Sequence, residues 1–191
     1  AKEIGRNTYH VYDAAMQKEA DRFVLLHHEI LKGLELNQFF LVYQPIYDVN
    51  TGKFTKCEAL VRWQHPERGL ISPLDFIAVA ERTGAIRPLG HFVLKQALAD
   101  SQLFRRQGLE LQISINRSSQ EFNVHHVAQE WLQSIQQAGL EYNSIIFEIT
   151  ESLFMDRISI QQNNILALHS EGVQLAIDDF GTGYSALNYL S

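Results

Sequence analysis

Three short runs constrain this chain most. "LQISIN" (111–116), "IIFEIT" (145–150) and "VQLAID" (173–178) are each rich in apolar residues and read as continuous strands, and each ends on a polar or acidic residue. A strand that is apolar at successive positions has both faces covered, which is the habit of parallel sheets. Helical spacing fills the intervals, in "HVAQEWLQSIQQAG" and "ISIQQNNILALHSEG". Strand and helix repeating at roughly 30-residue spacing argue for parallel strands joined by right-handed crossovers, hence an α/β barrel or a doubly wound sheet.

The polar residues favour the barrel. Asn116, Glu148 and Asp178 sit at or near the C-terminal ends of these strands, and Glu58 lies within "KFTKCEALVRW", the second strand of a hairpin that opens with "FFLVYQPIYDV" and turns at Asn50-Thr51-Gly52. Several strands delivering polar groups to one rim is how a barrel builds a site. A doubly wound sheet places a Gly-rich loop after its first strand, and the sequence has none there.

Helix signals are legible elsewhere. Met16, Ala20, Phe23, His27, Ile30, Leu31 and Leu34 recur at helical spacing and predict a helix opening near Asp13 and fading at Gly33. Ser72, Pro73 and Asp75 open a second helix that Gly84 closes, and "PLGHFVLKQALADSQLFRRQG" runs on to Gly108. Ser118 and Glu121 form a capping box leading towards the helix that follows.

If Glu58, Glu148, Asp178 and its neighbour Asp179 converged within about 5 Å, each pair would repel by roughly 3 kcal/mol at an effective dielectric of 20. A single acid of this kind is more often a cap or an ion-pair partner. Four of them beside the amide of Asn116 make the oxygen-rich set that hard divalent cations such as Mg²⁺ or Mn²⁺ prefer. Adjacent Asp178 and Asp179 could reach different ions, and Gly181 and Gly183 let the chain bend close to a ligand. Arg62 shares a strand face with Glu58 and Leu60 and could grip an anion. Glu81, Arg82 and Glu110 carry no pattern and read as solvated surface. Of the eight histidines, His27-His28 and His125-His126 are adjacent pairs, not the i, i+4 pairs that chelate from one helix face, so they read as structural.

Composition narrows the partners. A formal net charge of −6 with scattered Lys and Arg lacks the footprint of a binder of long nucleic acid, while a small anionic ligand stays open. The single cysteine, Cys57, cannot form an internal disulfide, and a cytoplasmic location is the default. No apolar run approaches the roughly 20 residues that span a bilayer, so membrane contact is not expected of this segment, although a larger parent could be tethered.

"YQPI", "CEALVRWQHPERGLISPLDFI", "AERTG", "SINRSS", "FEITES" and "LAIDDFGTGYSALNYL" resemble, in order and spacing, the EAL domain family from about residue 37 to the end. The resemblance implies a TIM-like barrel whose first strand runs antiparallel to the others, and hydrolysis of cyclic di-GMP to linear pGpG assisted by Mg²⁺ or Mn²⁺. It implies first-metal ligands at Glu58, Asn116, Glu148 and Asp178, and a second-metal ligand at Asp179. It also implies substrate contacts at Gln44, Leu60 and Arg62, with the arginine on a phosphate. Glu151 would organise the loop after the Asp pair, and a homodimer through the barrel is the expected assembly. The alternative is a receptor that binds cyclic di-GMP without cutting it.

"AKEIGRNTYHVYD" resembles the last strand of a GGDEF domain, the diguanylate cyclase fold. The expected organisation is therefore a GGDEF-like remnant over 1–12, a linker helix over 13–36 and an EAL domain over 37–191. The family continues with a Lys-Ile-Asp strand and further segments that would follow Ser191. The barrel is thus expected to lack its C-terminal strands here, and this piece by itself is expected to show no turnover.

Overall fold

The computed structural model describes residues 14–151, 153 and 159–178. The GGDEF-like stretch, Asp13, Asp179, Gly181 and Gly183 lie outside the described residues. No described helix is long and apolar enough to cross a membrane.

Helix α1 spans Ala14–Glu35, two residues past the expected end. The reason is local: Asn37, not Gly33, takes the left-handed conformation (φ 54°), and the Gln38 N–H closes the turn on the Gly33 carbonyl at 2.9 Å. Gly33 serves packing instead. A Cβ there would meet the Phe39 ring at 2.9 Å and Trp63 Nε1 at 3.1 Å, so only glycine lets the helix lie this close. Leu26 and Ile30 are buried in the same cluster, around the stacked Phe39 and Trp63 rings (centroids 4.9 Å apart) and the edge of Phe76.

Strands β1 (Phe39–Asp48) and β2 (Lys53–His65) form the expected antiparallel hairpin. Asp48 builds its turn, accepting hydrogen bonds from the Asn50 N–H at 2.9 Å and the Thr51 N–H at 3.3 Å, which is how a short carboxylate fixes a turn. A three-residue strand β3, Gly69–Ile71, adds antiparallel to the end of β2, a piece the sequence reading did not separate from the loop. Helix α2 (Pro73–Thr83) has Pro in its first turn and ends on Gly84 in the left-handed region (φ 81°), as expected. Helix α3 (Ile86–Arg106) then leads to β4 (Gln112–Asn116).

Only the Glu121 half of the Ser118–Glu121 box forms, its Oε2 accepting from the Ser118 N–H at 3.1 Å, and it closes a short 3-10 turn at Glu121–Asn123 and not the next helix. Helix α4 starts later, at Val127–Gln137, and is capped from outside. Buried Asn164 accepts from the Ala128 N–H at 3.3 Å while its amide donates to the carbonyls of Phe122 and Val124, both at 2.9 Å. Asn164 sits on helix α5 (Ser159–Ser170), which follows β5 (Ile145–Thr150) and precedes β6 (Gln174–Asp178).

The sheet order is β1-β2-β4-β5-β6, with β3 pairing β2 off this path. β4, β5 and β6 run parallel to β2 and to one another, and β1 alone of that path runs against them. This is the α/β barrel-type sheet with an antiparallel first strand. Odd-numbered strand residues Cys57, Ala59, Ile113, Ile115, Ile145, Phe147 and Ile149 are buried beneath α3, α4 and α5. The even-numbered face is left for the site.

Candidate active site

Side chains alternate across a strand, so residues of even number on β2, β4, β5 and β6 share the face away from the helices. The register places them in rows. Gln44 lies opposite Glu58, Glu58 opposite Ser114, Asn116 opposite Glu148, and Thr150 opposite Asp178. From Glu58 to Asn116, to Glu148, to Asp178, the positions climb by two, zero and two residues against this register. A barrel of eight tilted strands with shear 8 requires a climb of about one residue per strand for groups at one height. The four therefore sit near a single level at the carboxyl ends of their strands.

Side-chain chemistry agrees. Asn116 Nδ2 donates to Glu58 Oε1 at 2.7 Å, a link between β4 and β2. Glu148 is half-buried, and its carboxyl is held above the usual carboxylate range, first by burial and then by the negative charges of Glu58 and Asp178; a hydrogen bond with Ser114 works the other way. Glu58, Glu148 and Asp178 thus share one electrostatic field. Among the described residues no three His, Cys, Asp or Glu side chains stand together as a ready-made metal site. Glu58 is engaged by the Asn116 amide and Glu148 by Ser114.

By donor type the set fits a hard cation. Glu58, Glu148, Asp178 and the amide oxygen of Asn116 offer oxygen alone, and the burial and neighbouring negative charges that raise Glu148 are what a divalent ion would offset. Glu151, one residue past β5, is buried at 7% exposure, and Asp178 is exposed at the end of β6.

The expected substrate contacts lie on the same pair of strands. Gln44 is exposed, while Leu60 and Arg62 are half-buried on the Glu58 face, and Arg62 Nη1 donates to the Val61 carbonyl at 2.9 Å. Arg62 is four residues beyond Glu58, about 13 Å further along the strand. A cleft of about 350 Å³ lined by Arg87, His91, Glu121, Glu130 and Trp131 lies against α3 and α4, on the opposite side of the sheet from the acids.

One assignment changes. Glu81 is not solvated surface: it is half-buried and accepts from Ser118 Oγ at 2.7 Å, tying α2 to the loop after β4. Its neighbour Arg82 is exposed but packs over the Phe23 ring of α1, 4.3 Å from the centroid. Arg117 carries no expectation from the sequence and Glu121 only that of a cap; together they form a buried ion pair at 3.0 Å directly behind Asn116. Their i, i+4 spacing was the available signal. Glu110 is exposed as expected, and His65 is structural, its Nδ1 accepting from the Glu67 and Arg68 N–H groups at 3.2 and 3.3 Å.

The family model for the EAL domain matches residues 27–191. Over 191 residues the chain is 36% identical to the cyclic di-GMP phosphodiesterase PdeR of Escherichia coli K12, covering 100% of this chain and 29% of that protein. It is also 36% identical, across 100% of its length and 28% of the other's, to MucR of Pseudomonas aeruginosa, a bifunctional diguanylate cyclase/cyclic di-GMP phosphodiesterase. The chain thus spans under a third of these curated relatives. Among solved structures, the PaMucR phosphodiesterase in complex with c-di-GMP superposes with a TM-score of 0.80 at 36% identity, over 87% of this chain and 68% of that one.

Proposed function

This chain belongs to the EAL domain family, and on that premise we propose that it carries the metal-binding strands of a phosphodiesterase that hydrolyses cyclic di-GMP to linear pGpG. The observation that carries the reading is the row Glu58, Asn116, Glu148 and Asp178 on neighbouring strands, with Glu148 raised in part by the charges of Glu58 and Asp178.

Glu58, Asn116, Glu148 and Asp178 would hold one Mg²⁺ or Mn²⁺, and Asp179 a second. Held there, the cation supplies an activated water and charge neutralisation at the scissile phosphate. The chain's own residues do the rest by placement. Arg62, further along β2 than Glu58, offers a guanidinium fork suited to a phosphate of the substrate. Gln44, opposite Glu58 on the exposed side of β1, and Leu60 between Glu58 and Arg62 supply polar and apolar contacts to the rest of the dinucleotide. Glu151, buried one residue beyond the Thr150 that pairs with Asp178, would organise the segment after the Asp178-Asp179 pair.

The full-length protein should convert cyclic di-GMP to pGpG in the presence of Mg²⁺ or Mn²⁺, followed by chromatography of the products. Glu58→Gln should remove turnover while cyclic di-GMP still binds. Tight binding of cyclic di-GMP by the unmutated protein with no turnover under either ion would refute the hydrolase and leave a receptor.

A further inference from the structure

Behind the acid-lined face lies a buried ionic clamp for which the proposed chemistry has no use. Arg117 follows Asn116, so its side chain turns to the helix-covered side of β4. There it is 0% exposed and its partner Glu121 only 5%. Arg117 Nη1 donates to Glu121 Oε1 and to the Gly90 carbonyl of α3, both at 3.0 Å. The guanidinium lies over Trp131 and Phe147, 4.1 and 4.8 Å from the ring centroids. Glu121 Oε2 accepts from the Ser118 N–H at 3.1 Å, and the Arg117 N–H itself donates to the Glu148 carbonyl at 2.8 Å.

Stability does not explain this arrangement. Burial pushes the arginine down and the glutamate up, against their charged forms, and among the described residues Arg117 Nε and Nη2 find no hydrogen-bond partner. Apolar residues of similar volume generally serve such a position as well or better. What an ion pair adds is direction: it fixes a backbone segment at one angle. The segment fixed here bears Asn116, and its backbone is bonded to Glu148.

We propose that Arg117 is a positioning residue: anchored on Glu121 and on the Gly90 carbonyl, it fixes the end of β4 against β5 so that Asn116 and Glu148 present their side chains together to the divalent cation. The inference rests on the function proposed above and assigns Arg117 no contact with substrate.

The test is Mn²⁺ binding, by calorimetry and electron paramagnetic resonance, on the full-length protein, with thermal unfolding measured in parallel. The double variant R117M/E121Q removes both charges at similar volume, so it should unfold near the unmutated temperature. Its Mn²⁺ affinity should fall about 10- to 100-fold, as when partners that orient metal ligands are lost. R117K, which keeps the charge but loses the planar fork, should fall between. Unchanged Mn²⁺ affinity in the double variant overturns the proposal, because a merely structural role moves the unfolding temperature and not the affinity of folded protein. If the double variant does not fold, amide exchange on the unmutated protein decides. Mn²⁺ should slow exchange at the Arg117 and Ser118 amides, and no change there overturns the proposal. Absence of Glu58-dependent Mn²⁺ binding in the unmutated protein is a separate outcome, which sinks the metal site itself and the clamp's role with it.

Discussion

Replacing Gly90 with alanine poses the sharpest question about the buried clamp. Inside α3 (Ile86–Arg106) the exchange should help, since alanine is favoured over glycine in a helix interior by about 1 kcal/mol. The structure reverses the sign. A Cβ built on Gly90 would stand 2.1 Å from Glu121 Oε1, 2.7 Å from its Cδ and 3.1 Å from Arg117 Nη1. The carboxylate has to shift, and being only 5% exposed itself it can do so only by moving off a guanidinium that is 0% exposed. Breaking a buried pair costs about 3–5 kcal/mol, so the net loss is about 2–4 kcal/mol. For a domain of this size each kcal/mol shifts the melting temperature by about 2–4 °C, giving a drop on the order of 10 °C by calorimetry or circular dichroism. A double-mutant cycle isolates the cause: in an E121A background the Gly90→Ala penalty should vanish and the helix gain reappear. A Gly90→Ala protein as stable as the unmutated one, or an unchanged penalty in the E121A background, would refute the steric argument.

Glu148 sets a pH dependence of unusual sign. Its folded carboxyl titrates above the ordinary range because of burial and the charges of Glu58 and Asp178, so its destabilising effect is absent below the ordinary carboxyl pKa. That effect grows as pH rises through the raised folded value. With divalent ions chelated, Glu148→Gln should melt above the unmutated protein at pH 8, and the gap should close towards pH 4. With Mn²⁺ added the order should reverse; a variant that melts lower at pH 8 in chelator would contradict the shared field. Trp63→Ala empties a fully buried site stacked on Phe39 and edged by Phe76, and should cost about 3–5 kcal/mol in denaturant unfolding. A loss below about 1 kcal/mol would show that this aromatic cluster does not anchor α1 and α2 to the hairpin.

What the sequence determined by itself was whatever depends on near neighbours. The apolar runs of β4, β5 and β6, the Asp48–Gly52 turn, the Pro73 start and the Gly84 stop all follow from spacing and backbone preference within a few residues. Sequence alone also placed Asn116, Glu148 and Asp178 at or near the ends of their strands, and Glu58 on one face of its strand with Leu60 and Arg62. The register itself was decided by tertiary structure, and with it the fact that these groups sit near one level and that Glu148 feels two other acids. Tertiary packing also placed the end of α1, where Gly33 lies against Phe39 and Asn37 takes the left-handed turn. It capped α4 with Asn164 from a distant helix and drew Glu81 inward to Ser118. The burial of Arg117 and Glu121 belongs to the same class. A salt bridge four residues apart looks the same in sequence whether water or Trp131 lies above it, and only the packing of α3 and α4 over β4 settles which.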